Sequence, residues 1–252
     1  MLKREGSGPK PDPPAGEAAS TFQENHGRYG ARRIRAVLAR RGKIASRRRI
    51  GNIPKARGLA RIRRNSRPKG ARRAAADEAA LPNVAARAFN GHEPRARICP
   101  DLAYARVGGR WNCVCPLVDL CNREIAGHSA GERKGARSAK PAFATLDFPI
   151  SDIEVFRTGR GSEFDDAQID EMLEVLGAKR PLSKKGRPCD NAVDESASKA
   201  LKEEFAYRET FSSLYDLQVK LSDYVHWYNH KRLHSTLGYM SPVEFREAGL
   251  SL

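Results

Sequence analysis

Between residues 26 and 73 the chain carries nineteen Lys or Arg and no Asp or Glu. A stretch with that charge has no counter-ions of its own and attracts polyanions, of which nucleic acid is the commonest. The imbalance is local. Over all 252 residues, 46 Lys and Arg face 30 Asp and Glu, a formal charge of +16. The basic stretch therefore reads as a unit apart, and the remainder must build the larger core.

Within that stretch, Ile34, Val37 and Leu38 fall at i, i+3, i+4 and give a short helix one apolar face. Gly42 supplies a stop, and Ser46 an N-cap for a second helix carrying Ile50 and Ile53. Two short helices across a Gly-containing turn, with Arg32, Arg33, Arg47, Arg48 and Arg49 outward, suit a helix-turn-helix that tracks DNA phosphates. The alternative is a solvated basic linker. Pro54 falls where the second helix should continue, so that helix is expected to be cut short or kinked. The boundaries that follow are a disordered lead-in over 1–22, a helix-turn-helix region over 23–64 and a linker over 65–93.

From residue 94 the texture changes. Two apolar runs flank Gly108-Gly109 and predict a β-hairpin, with a third strand around "REIAGHS". A helical stretch near 137–146 and a short strand "IEVFRT" follow. Ile169, Met172, Leu173 and Leu176 then make a helical stripe ending at Gly177, and two long helices close the pattern. Strands interleaved with helices predict a mixed α/β layered domain over 94–225, trailed by a basic and aromatic segment over 226–252. The five cysteines show no paired zinc spacing and read as reduced, buried thiols. No apolar run approaches a membrane span and the N-terminus lacks an apolar signal core, so the expected location is the cytoplasm.

The stretches "PDLAYARVGGRW", "VDLCNREIAGHS", "FRTGRGSEF", "SKKGRPCDNAVDES" and "YVHWYNHKRLHSTLGYMSPVEF" stand in an order that resembles the bacterial insertion-sequence transposases with a retroviral-integrase-type catalytic core. The resemblance covers roughly residues 25–248. It implies an RNase H-like mixed sheet flanked by helices. It also implies metal-dependent cleavage and transfer of DNA strands by Mg²⁺ or Mn²⁺ held on three carboxylates. Carried over by position, the first Asp is Asp101 and the Glu is Glu195. The second Asp falls on Gly159, thirty-five residues before Glu195, which is the family's spacing. The register is intact and the carboxylate is absent.

Nearby acids do not obviously replace it. Glu163 matches a Glu that the family carries in addition, while Asp165 and Asp166 open the next helix, where the dipole favours acids. Arg157, Cys189, Cys113, Pro116 and Pro54 depart from the family pattern as well, in the manner of a degenerate copy. The resemblance further implies DNA, both element ends and target, as partner, assembly as a homo-oligomer and a nucleoid-associated location. It implies neither a membrane nor a small-molecule substrate.

Other candidates are ambiguous. Asp119 fits a structural role better than ligation, and Asp190 and Asn191 fit the turn that delivers Glu195. Lys199 and Lys202 stand at i+4 and i+7 from Glu195, either facing DNA or simply solvated. In "WYNHKRLHSTLGY", Lys231 and Arg232 with Trp227 and Tyr228 could hold nucleic acid, or the segment could be a helix end with Tyr228 and Leu237 buried. His230 and His234 have a metal spacing but no third ligand in view. The expected function is that of a DNA-binding transposase impaired at Gly159. Its rival is a non-catalytic DNA-binding protein that occupies element ends or inhibits an intact transposase.

Overall fold

The computed structural model describes residues 13–56, 93–132, 136–156, 174 and 192–251. The chain divides into two compact units, Met1–Gly70 and Ala71–Leu252. The helical stripe expected over 165–177 lies outside the described residues, apart from Glu174, which is helical.

In the first unit three helices pack together: α1 (Pro13–Glu24), α2 (Ala31–Arg40) and α3 (Arg47–Ala56). Helix α1 corrects the lead-in expected over 1–22. Its Ala18, Ala19 and Phe22 are buried along with Ile34, Leu38, Ile50 and Ile53. The acid-free stretch finds its counter-ions there, because Glu17 pairs with Lys43 and Glu24 with Arg41, the latter at 3.2 Å. Gly42, at φ +72°, closes α2, and the Lys43 N–H reaches back to the Leu38 carbonyl at 2.8 Å. The Ser46 hydroxyl accepts from the Arg49 N–H at 3.2 Å, the cap expected for α3. Contrary to expectation, α3 runs two residues beyond Pro54.

The second unit is built on a five-stranded mixed sheet: β1 (Arg97–Pro100), β2 (Ala103–Val107), β3 (Arg110–Asp119), β4 (Ile125–Gly131) and β5 (Val155–Phe156). Strand β3 is central. It pairs antiparallel with β4 along one edge, and with β2 and then β1 along the other, while β5 runs parallel to β1. Pro116 therefore sits inside a central strand, where a missing N–H should break the ladder. The carbonyl of Pro116 accepts from the Asp101 N–H at 3.1 Å, so its missing donor faces the corner between β1 and β2. The corner absorbs the defect.

One face of the sheet buries Ile98, Cys113, Cys115, Leu117 and Phe156 against Ala139, Ala142 and Phe143 of α4 (Ala136–Phe143). Approach is close at Gly127, where a Cβ would lie 2.5 Å from the Ala142 carbonyl oxygen. Helix α5 (Ala192–Leu201) continues into a π-helical turn over Lys202–Ala206. The long helix α6 (Leu214–His230), capped by Ser213, and the short α7 (Pro242–Glu247), with a Ser241–Glu244 capping box, complete the unit. The boundary expected at 225/226 falls inside α6, so the C-terminal segment is part of the core. Among the described residues no helix is long and apolar enough to cross a membrane.

Candidate active site and nucleic-acid interface

Asp101 occupies the corner between β1 and β2, with its side chain about a quarter exposed (27%). Its carboxylate meets Lys202 Nζ at 3.4 Å. Lys202 opens the π-turn that prolongs α5, the helix that carries Glu195. Position 195 lies seven residues earlier, two turns up on nearly the same angular face. The side chain of Glu195 and the whole loop holding Gly159, Glu163, Asp165 and Asp166 lie outside the described residues, as do Arg157, Cys189, Asp190 and Asn191.

The π-turn is pinned from behind. Arg232 grips Glu204 with two hydrogen bonds of 2.8 Å, and its guanidinium lies 5.0 Å from the centre of the Tyr228 ring. Burial opposes charge on this guanidinium, but the Glu204 carboxylate outweighs it and holds the pKa above its ordinary value. Arg232 is 6% exposed, which corrects its expected role as a DNA contact. Lys199 and Lys231 are exposed as expected. π-Turns of this kind often mark functional sites, because the extra residue displaces a side chain from the regular helical face.

The "WYNHKRLH" segment packs on the core. Trp227, Tyr228 and Leu237 are buried, and so is His234, which lies edge-on to Tyr228 and beside Arg232. His230 stacks on His226 instead of joining His234. Asn229 went unremarked in the sequence, yet its amide both donates to and accepts from Ile125 at 2.9 Å, extending the exposed ladder of β4. Glu124, bonded to Arg246 at 2.9 Å, is similar: no local pattern announces a partner 122 residues away.

Asp119 is structural, as its position suggested. Its carboxylate accepts from the Arg95 N–H at 2.7 Å and the Cys121 N–H at 2.8 Å. Burial, aided by Glu124, pushes its pKa up to about 6 against those two bonds. Burial also raises the Cys115 thiol, helped by Cys113 and Asp101, so it stays protonated beside the site.

Among the described residues no three His, Cys, Asp or Glu converge to hold a metal ion. The donor set explains the shortfall. Asp101 faces an ammonium, and Gly159 offers no side chain. One or two carboxylates suit a single, mostly hydrated Mg²⁺. A pair of ions spanning attacking and leaving oxygens requires more.

In the first unit, Arg32 on α2 and Arg47, Arg48 and Arg49 on α3 are exposed. Arg33 is half-buried, its guanidinium 5.6 Å from the centre of the Tyr29 ring. Together they make a cationic surface on a rigid three-helix support.

Comparison with known proteins agrees with both units. An HTH-like domain matches residues 17–67, and an integrase core domain matches residues 195–250, beginning at Glu195. A simian T-cell lymphotropic virus intasome shares the fold, with a TM-score of 0.50 and 15% identity over 91% of this chain and 74% of that one. The class is thus an HTH-like domain joined to an integrase core. Along its length the chain is 28% identical to the putative transposase of insertion sequence element IS150 from Escherichia coli, covering 89% of this chain and 80% of that protein. It is also 28% identical to the transposase of IS904 from Lactococcus lactis, covering 90% and 91%. The chain belongs with the transposases of insertion sequences.

Proposed function

We propose that this chain binds the ends of a mobile DNA element through its helix-turn-helix unit and carries an integrase core impaired in strand cleavage. Asp101 and Glu195 are the residues that hold a divalent ion, Mg²⁺ or Mn²⁺, and the place of the third carboxylate is empty at Gly159. The observation that carries this reading is the Asp101–Lys202 contact of 3.4 Å. The one described acid of the set is already neutralised by a cation from the helix that bears the other. A divalent ion supplies charge for the attacking and leaving oxygens. This chain's own residues bind DNA phosphates and hold Asp101 at the corner of the sheet. The setting is the bacterial cytoplasm, at the nucleoid, and joining two ends calls for more than one copy of the chain.

Nicking and joining of labelled element-end duplexes with Mg²⁺ or Mn²⁺ tests the reading. Three proteins are compared: the natural chain, Gly159→Asp, and Gly159→Asp with Glu195→Gln. The expected result is cleavage by the Gly159→Asp protein alone. Cleavage by the natural chain would assign the role to another acid. Binding without cleavage by all three would favour the second reading, a non-catalytic occupant of element ends. The exposed arginines of α2 and α3 support that reading independently of the core.

A further inference from the structure

Trp111 is 60% exposed, while the chain's other tryptophan, Trp227, is 6% exposed. Trp111 is the second residue of β3, and every residue from Asn112 to Asp119 is buried. It stands directly across from Arg106 of β2, with Arg110 across from Val107. The Arg106 guanidinium lies 5.3 Å from the centre of the indole and donates to the Gly109 carbonyl at 3.5 Å. Gly108 at φ +53° and Gly109 at φ +84° close the hairpin in a tight turn that fixes this arrangement. Between Leu102 and Val118 there is no acid, so the hairpin offers an aromatic face with two exposed cations and nothing to repel an anion.

We infer that the β2–β3 hairpin is a stacking platform for unpaired nucleotides of a DNA end, with Trp111 against a base and Arg106 and Arg110 on the flanking phosphates. This rests on the reading of the chain as a DNA-binding protein. A flat indole flanked by guanidinium stacks on bases whatever their sequence, and a base offers its face only where it is unpaired. Arg106 lies five residues along the strand direction from Asp101, roughly 17 Å at about 3.4 Å per residue. That is the span of about five nucleotides at about 3.4 Å each. A DNA end reaching Asp101 would therefore have a strand long enough to lie on the hairpin.

The test uses the full chain and its intrinsic fluorescence, with the Trp111→Phe variant subtracted to isolate the Trp111 emission. Two ligands are compared, a blunt duplex and the same duplex with a single-stranded overhang of about five nucleotides. The overhang is expected to quench the Trp111 component and leave the Trp227 component unchanged, which serves as the check on folding. Trp111→Ala is expected to weaken overhang binding by about 5- to 150-fold while affinity for the blunt duplex stays within about twofold. Arg106→Gln should give a smaller loss in the same direction.

Overhang binding without any change in Trp111 emission overturns the hairpin and leaves DNA binding standing. So does an equal loss on both ligands. A shift that depends on protein concentration and not on DNA would assign Trp111 to a contact between copies of the chain. Failure of the natural chain to bind either DNA removes the broader reading together with this one.

Discussion

The two units use the same residue types to opposite ends. In the helical unit, Arg32, Arg47, Arg48 and Arg49 stand in solvent, and the two acids that reach the basic stretch, Glu17 and Glu24, both come from α1. In the sheet unit, cations are matched to carboxylates brought close by the fold: Arg95 to Asp147, Arg246 to Glu124, Arg232 to Glu204 and Lys202 to Asp101. Whether an arginine recognises a ligand or fastens a core is thus decided by the anion that the fold sets beside it. A cation without one is left for a polyanion. A buried cation with one is spent on structure, because separating the pair would leave an uncompensated charge in a low dielectric.

The sharpest way to break this contrast is to remove one arginine from each unit. Arg232→Ala leaves Glu204 unpaired against the core and is expected to cost about 3–5 kcal/mol of stability, read as a large fall in the denaturation midpoint. Arg48→Ala should stay within about 0.5 kcal/mol of the natural chain. If the two variants melt alike, Arg232 is not a structural residue and returns to the candidates for DNA contact.

A buried acid sharpens the picture further. Asp119 is 1% exposed, with a folded pKa of about 6 against an ordinary 3.8. An acid whose pKa is raised by folding makes ionisation costly in the folded state. This group therefore opposes folding above pH about 6, and its penalty disappears as pH falls toward the ordinary value. The full swing is at most about 3 kcal/mol. Denaturant titrations at pH 5 and pH 7 should show the natural chain gaining stability at the lower pH, and Asp119→Asn should lessen that gain. An unchanged pH response in the variant would mean that the two backbone bonds keep the carboxylate ionised throughout.

The smallest expected effect belongs to the helical unit. Each exposed arginine that touches a phosphate contributes about 0.9 to the slope of log affinity against log salt. Arg47→Ala and Arg48→Ala should each lower that slope by about one and weaken binding to all duplexes alike, with the melting curve unmoved. A loss confined to one DNA sequence would instead make that side chain a reader of bases.

Much of the architecture is legible along the chain, because the signals are local. Gly42 and Ser46 stop and start helices through their own backbone and hydroxyl, and the Gly108-Gly109 turn dictates a hairpin between flanking apolar runs. Local signals also mislead. The Pro- and Gly-rich start hides α1, whose stability comes from burying Ala18, Ala19 and Phe22 against α2 and α3 and not from its composition. Pro54 reads as a helix breaker, yet α3 continues for two residues, since a helix near its C-terminal end has few hydrogen bonds left to lose. Pro116 reads as a broken strand, and only the corner opposite it explains why the ladder tolerates it.

By itself the sequence determined the segregation of charge, the spacing of Asp101, position 159 and Glu195, and the absence of a carboxylate at Gly159, all of which depend on residue identity and order. Tertiary structure alone decided that Lys202 meets Asp101 across 101 residues, that Asn229 completes β4 across 104, and that Arg232 turns inward to Glu204 rather than outward to DNA. The physical reason is that a side chain's role follows from the charge and solvent around it, and those are set by whichever distant segments the burial of the core brings alongside.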